Sequence, residues 1–172
     1  MRDAFDVLGV KPRFGLDLTE LEAHHRKLSA DLHPDRQSAS GAAEREAKLT
    51  QLSDVNQAYR SLSDPISRAE QLLQRRGESV PATKTAELLQ RIFEQRQSVE
   101  NAKDEGDARR LSDWVTAARA RQAALASELT AFFDGGPTVL PVPQQQIGPV
   151  LEELRYLKKV IERAERALDE LE

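Results

Sequence analysis

Three histidines, His24, His25 and His33, stand close together in the chain beside Glu22, Asp31 and Asp35, and they are the side chains with the widest choice of chemistry. Imidazole and carboxylate groups together make metal ligands or acid–base pairs. Spacing argues against both uses. His24 and His25 are adjacent, hence about 100° apart on a helix, and no His pair has the i, i+4 relation that brings two imidazoles onto one ion. There is no Gly-rich phosphate loop, no nucleophile elbow and no cysteine, so thiolate metal sites and disulfides are excluded. The chain is therefore read as a non-enzyme with no cofactor and no metal. What remains is a binding chemistry. In Leu32-His33-Pro34-Asp35-Arg36 an imidazole and a carboxylate flank a stiff ring, which makes a small, rigid, polar feature aimed at solvent.

Two amphipathic patterns must hold that feature. Asp17 or Thr19 caps the first helix, with Glu20 or Glu22 completing a capping box. Leu18, Leu21, His25, Leu28 and Leu32 then follow at steps of three and four on one face. Proline disfavours the α conformation in the residue before it, so this helix stops near Leu32. Ser38 to Gly41 supplies loop residues. The next helix carries Leu52, Val55, Tyr59 and Leu62, with the small Ala43 and Ala47 near its start. The two stripes pack as an antiparallel hairpin with the His-Pro-Asp connection at its tip. His25 is expected as a hydrogen-bonded core histidine, and Phe5, Val7, Leu8 and Val10 as apolar turns laid on the same core.

Asp64-Pro65 ends one helix and starts another, since Asp caps well and Pro is tolerated at the first helical position. Ile66, Ala69, Leu72 and Leu73 form its apolar face, and Gly77 is its stop. Beyond Val80-Pro81 three helical patterns follow: about Thr83 to Glu105, Asp107 to Phe133, and Gly148 to Glu172. In the second, Leu111, Val115, Ala118, Leu125, Leu129 and Phe132 share a face. Leu154, Leu157, Ile161, Ala164, Leu168 and Leu171 do so in the third. The segment Asp134 to Gln146, with two glycines, three prolines and three glutamines, reads as a flexible connection. This organisation predicts an all-α chain: an N-terminal helical hairpin domain over 1–76, a linker at 77–84 and a C-terminal three-helix bundle over 85–172.

Composition limits the partners. A formal charge of −4 argues against a general nucleic-acid binder, and no apolar run approaches the roughly 20 residues that span a bilayer. No nucleic acid and no membrane are expected. Met1-Arg2-Asp3 lacks the start of a signal peptide, and the absence of cysteine suits a reducing, cytoplasmic setting.

The His-Pro-Asp turn, the helix ending at Leu32 before it and the run Val55-Asn56-Gln57-Ala58-Tyr59 through Leu62-Ser63-Asp64-Pro65 together resemble the J-domain, the module by which co-chaperones engage DnaK-class chaperone ATPases. Asp64-Pro65-Ile66-Ser67-Arg68-Ala69-Glu70-Gln71-Leu72-Leu73 is similar to the hinge segment of the HscB family of iron–sulfur co-chaperones. Chain length and the helical C-terminal half fit that family too. The resemblance implies a J-domain over residues 1–76 whose turn docks on a specialised DnaK-class (HscA-type) chaperone ATPase and promotes its hydrolysis. On that basis His33 orients the contact, Pro34 fixes the turn, Asp35 meets a basic group, and Arg26, Lys27 and Arg36 steer. Asp31 places a negative charge where many J-domains are basic, which puts more of the steering on Arg36.

The resemblance also implies that an apolar patch on the C-terminal bundle binds an IscU-type iron–sulfur cluster scaffold protein. The matching positions are Leu88, Leu89, Ile92 and Tyr156. The residues support this independently. Leu88, Leu89, Ile92, Phe93 and Val99 cover a wider arc than one buried stripe needs, and Tyr156 with Val160 lies to one side of the third helix's apolar face. The expected function is thus co-chaperoning of iron–sulfur cluster assembly, with cluster transfer promoted through the chaperone. The alternative is a general J-domain co-chaperone delivering other clients. Such proteins usually carry Gly/Phe-rich linkers, zinc-binding cysteines or β-rich client domains, and none is present in this sequence.

Overall fold

Local capping chemistry sets most of the helix boundaries. The computed structural model describes residues 3–33, 41–79, 86–135 and 144–171. Its helices are α1 (Ala4–Leu8), α2 (Leu18–Leu32), α3 (Ala42–Ser63), α4 (Pro65–Arg75), α5 (Ala86–Asp104), α6 (Ala108–Asp134) and α7 (Gln144–Asp169). No strand occurs among the described residues, so the architecture is all-α. Two compact units divide the chain, Met1–Ser79 and Val80–Glu172.

In the first unit Asp17 is the cap of α2, its Oδ1 accepting from the backbone N–H groups of Thr19 (2.8 Å) and Glu20 (3.3 Å). Antiparallel α2 and α3 pack on each other, α1 lies across both, and α4 follows α3 directly. Asp64 serves both ends of that junction: it closes α3 and caps α4, with Oδ2 accepting from the Ser67 N–H at 3.0 Å and Pro65 at the first helical position. Helix α4 ends as its sequence requires. Gly77 takes φ 73°, and the Glu78 N–H reaches back to the Leu73 carbonyl at 2.9 Å. That is the glycine-terminated turn that satisfies the last carbonyls of a helix.

Phe5, Leu8, Leu21, Leu62 and Leu73 form the fully buried centre of this unit. Leu18, expected on the inward stripe, is 52% exposed, because it is the first residue of α2 and stands beyond the contact with α3. Two further residues complete the core without having been expected there. Phe14 is buried in the α1–α2 connection, and Arg68 is buried beside it, its guanidinium 5.0 Å from the ring centroid and its Nη1 donating to the Phe14 carbonyl at 2.7 Å. At the edge of the unit, Arg75 pairs with both Asp3 and Asp6, which ties the end of α4 to the start of the chain.

The second unit is an up-down-up bundle. Contacts between α5 and α7 advance in step along both helices: Ile92 with Tyr156, Glu100 with Arg163, Lys103 with Glu170. These two helices are therefore parallel, and α6 runs against them. The turn between α5 and α6 is short because Gly106 adopts φ 66° and Asp107 caps α6, its Oδ1 accepting from the Arg110 N–H at 2.9 Å. Leu111, Leu125, Leu129, Ile147, Leu151 and Leu157 are its most deeply buried side chains.

Helix α7 begins at Gln144, four residues before the expected start at Gly148, and α6 continues to Asp134. The connection is accordingly shorter than the segment 134–146 suggested, and its residues 136–143 lie outside the described ones. Pro149 stands inside the helix, where it forfeits one backbone hydrogen bond; a 26-residue helix tolerates that when Ile147, Val150 and Leu151 around it are buried. The expected start of α5 at Thr83 and the expected linker 77–84 also fall partly outside the described residues, as do residues 38–40 of the loop before α3.

Arg68 generates a stability prediction. Arg68→Met keeps the stem but removes the charged hydrogen bond to the Phe14 carbonyl and the contact with its ring, a loss of about 2–3 kcal/mol from the first unit. Urea unfolding followed by circular dichroism should show that loss.

Candidate functional site

The hairpin tip is prepared by the end of α2. The helix stops at Leu32, and His33 follows at φ −64°, ψ 131°, an extended conformation that suits a residue preceding proline. His33 is exposed. Pro34, Asp35 and Arg36 lie outside the described residues. Along α2, Arg26 stands two turns before His33 on the same face, exposed, with its Nε 3.7 Å from Glu22. Lys27 is exposed on the adjacent face. The last turn of α2 has no basic residue, and Asp31 adds a carboxylate to its negative dipole end.

The other two histidines are committed to packing. His24 donates from Nδ1 to the Leu8 carbonyl at 3.2 Å, which satisfies the end of α1. His25 bridges α2 and α3, its Nε2 donating to Asn56 Oδ1 at 2.8 Å and lying 3.3 Å from Ser29 Oγ, while its ring stacks on Tyr59 at 4.3 Å. It is half-buried and hydrogen-bonded, as expected of its position, though nearer the surface than a core residue. Among the described residues no group of three His, Cys, Asp or Glu side chains converges on a metal position.

The second surface is built on α5 and α7. Leu89 is 47% exposed and Phe93, one turn on, is 67% exposed. Ile92 and Tyr156 are half-buried beside them and in contact, the Tyr156 hydroxyl donating to the Ile92 carbonyl at 2.8 Å. Leu88 differs from its expected place. At 5% exposure it is a core residue, because it shares the inward face of α5 with Val99 and Ala102. Val160, expected beside Tyr156, is also buried. The sequence signal for the exposed pair was present in the i, i+4 spacing of Leu89 and Phe93 outside that inward stripe.

Beneath the surface, Glu153 of α7 is buried, and both of its oxygens accept from Arg121 of α6, at 2.8 and 3.0 Å. Arg91 of α5 approaches the same carboxylate at 3.6 Å. Burial pushes the Tyr156 hydroxyl up to about 12, with the nearby charge of Arg96 acting in the opposite direction. The folded chain thus holds the Tyr156 proton from the ordinary phenol value of 10.0 up to about 12, and stability falls as pH rises through that window. In a near-ultraviolet phenolate titration Tyr156 should ionise near pH 12, and Tyr156→Phe should remove that step.

Residues 3–70 match the DnaJ domain family. The co-chaperone protein HscB homologue of Cupriavidus taiwanensis is 29% identical over 99% of this chain and 96% of its own length. That of Paraburkholderia xenovorans is 29% identical over 98% and 95%. Among solved structures, chaperone HscB from Vibrio cholerae superposes with a TM-score of 0.84 at 24% identity, covering 99% of this chain and all of the other. Human co-chaperone protein HscB superposes with a TM-score of 0.80 at 22% identity, covering 96% of this chain and 81% of the other. These two likenesses concern the fold. With a DnaJ domain match at its N-terminus and co-chaperone HscB homologues aligned from end to end, the chain is similar over nearly its whole length to the HscB family of J-domain co-chaperones.

Proposed function

We propose that this protein is an adaptor in iron–sulfur cluster assembly, joining an Hsp70-type chaperone ATPase of the HscA class to an IscU-type cluster scaffold protein. The observation that carries the scaffold half is the exposed Leu89–Phe93 pair beside Tyr156. Two large apolar side chains one turn apart on the exposed, mostly polar side of α5 are a surface that a partner would cover. Leu88 supports them from the core, and Ile92 with Tyr156 closes the side of the patch. Full burial of a leucine or phenylalanine contributes roughly 1.5–3 kcal/mol, so this small cluster is enough to anchor a transient complex.

The chaperone half rests on the DnaJ domain and on the hairpin tip. Pro34 would fix the turn, His33 would pack at the contact, and Asp35 would meet a cation of the ATPase domain, with Arg26, Lys27 and Arg36 steering the approach. A desolvated charge pair at an interface couples by roughly 1.5–7 kcal/mol, so a single carboxylate can decide docking. The chemistry of hydrolysis stays in the chaperone; the adaptor changes its rate and brings the scaffold to it. Binding both partners at once raises their effective concentration, and trapping of the scaffold after hydrolysis would favour release of its cluster.

Single-turnover ATP hydrolysis by the cognate chaperone tests both halves. Wild-type protein should accelerate the reaction, and the scaffold should accelerate it further. Asp35→Asn should abolish the first effect, by at least about tenfold. Leu89→Ala with Tyr156→Ala should leave the first effect intact and remove only the scaffold-dependent increment. Stimulation that ignores the scaffold would instead favour a J-domain co-chaperone with other clients.

A further inference from the structure

Two long side chains of α6, Trp114 and Arg121, stand two turns apart, and the residues between them on that face are the small Ala117 and Ala118. The gap they leave against α5 is an open groove of about 370 Å³. Ala118 and Leu157 of α7, both buried, form its floor, and Glu94, Gln95 and Ser98 line it from α5. That volume is at the small end of the range for ligand sites. None of these residues belongs to the Leu89, Phe93 and Tyr156 surface.

The fold leaves the polar groups of this groove unused. Among the described residues the side chains of Trp114, Gln95 and Ser98 have no hydrogen-bond partner, although all three are half-buried. Glu94 accepts one bond, from the Gln90 amide at 2.9 Å, and no cation among the described residues pairs with it. The neighbouring guanidinium groups are committed elsewhere. Arg121 donates to both oxygens of Glu153 and lies 3.7 Å from Glu128, while Arg91 lies 3.6 Å from Glu153. With Glu94 added, three carboxylates face two cations, and Glu94 is the one without an ion pair.

These groups select a ligand by charge and shape. An indole attracts cations to its π face and stacks well with a planar guanidinium. Glu94, the Gln95 side-chain oxygen and Ser98 Oγ can each accept from the N–H groups of such a cation. The alanines and Leu157 suit an alkyl stem. An anion would meet the charge of Glu94 and find Arg121 already engaged. We propose that the groove between α5 and α6 is a binding site for an alkylguanidinium cation, held between Trp114 and Glu94. Free guanidino compounds and the arginine side chain of another protein carry the same chemistry.

Trp114 is the chain's one tryptophan, so its fluorescence reports on this groove. Titration of the full chain at constant ionic strength with agmatine, and separately with N-acetylarginine amide, should shift that emission saturably, with half-saturation on the order of 1 mM. The neutral isostere N-acetylcitrulline amide should not. Glu94→Gln should weaken binding by about fivefold. Ala117→Leu fills the groove from an exposed, helix-compatible position, keeps the core, and should abolish the response. An equal response to the two cations identifies free guanidino compounds as ligands, and a response to N-acetylarginine amide alone identifies a protein's arginine side chain. No saturable shift with either cation, or a shift that the citrulline compound reproduces or Ala117→Leu retains, overturns the proposal. The adaptor reading stands in every case, because the groove shares no residue with the surfaces it uses.

Discussion

The geometry of the bundle depends on how it accommodates one buried carboxylate. Glu153 is only 7% exposed, and a charge so placed is tolerated when it is paired and hydrogen-bonded. Arg121 grips both of its oxygens from α6, and Arg91 reaches the same group from α5. Replacing such a pair by apolar residues is often neutral for stability, whereas losing one partner strands the other. Its effect is therefore on alignment. With Glu153 held against α6, the rotation and height of α7 are set, and Tyr156, three residues on, reaches the Ile92 carbonyl of α5. The surface between α5 and α7 inherits its shape from a charge pair that lies behind it.

The first unit solves a similar problem with different parts. Its core would be small if it relied on the α2–α3 hairpin, so α1, the α1–α2 connection and α4 add Phe5, Leu8, Phe14 and Leu73. Arg68 joins the connection to α4, and His24 and His25 join α2 to α1 and α3. Each of these polar side chains satisfies a backbone or amide group that packing would otherwise bury unpaired. The histidines that first suggested chemistry thus belong to the scaffold of the hairpin, except for His33 at its tip.

What was legible in the sequence was what is decided locally. The stop at Leu32 before His33-Pro34, the cap at Asp64 with Pro65, and the glycine exits at Gly77 and Gly106 each depend on a few neighbouring residues, and each stands where the spacing put it. Face assignment was less legible because it is decided by which helix comes to lie alongside. Leu88 and Leu89 are equivalent by type, yet the former is core and the latter surface. Glu153 and Arg68 look like solvated helix residues until a partner from a distant segment is placed beside them. The start of α7 was obscured by Pro149, whose local preference was outweighed by the burial of Ile147 and Val150.

The ion pairs from Arg75 to Asp3 and Asp6 bear on how the chain is made. They link residues 72 and 69 positions apart, so α1 is tied to one of the last residues of its unit to be synthesised. At about 5–20 residues per second, roughly 4–14 s of translation separate the two ends of that contact. During this interval α1 has its Asp3 cap but not its clasp, and Phe5 and Leu8 await the helix that covers them. Closure of the first unit is in this sense a late event of its own synthesis, while the second unit is still to come.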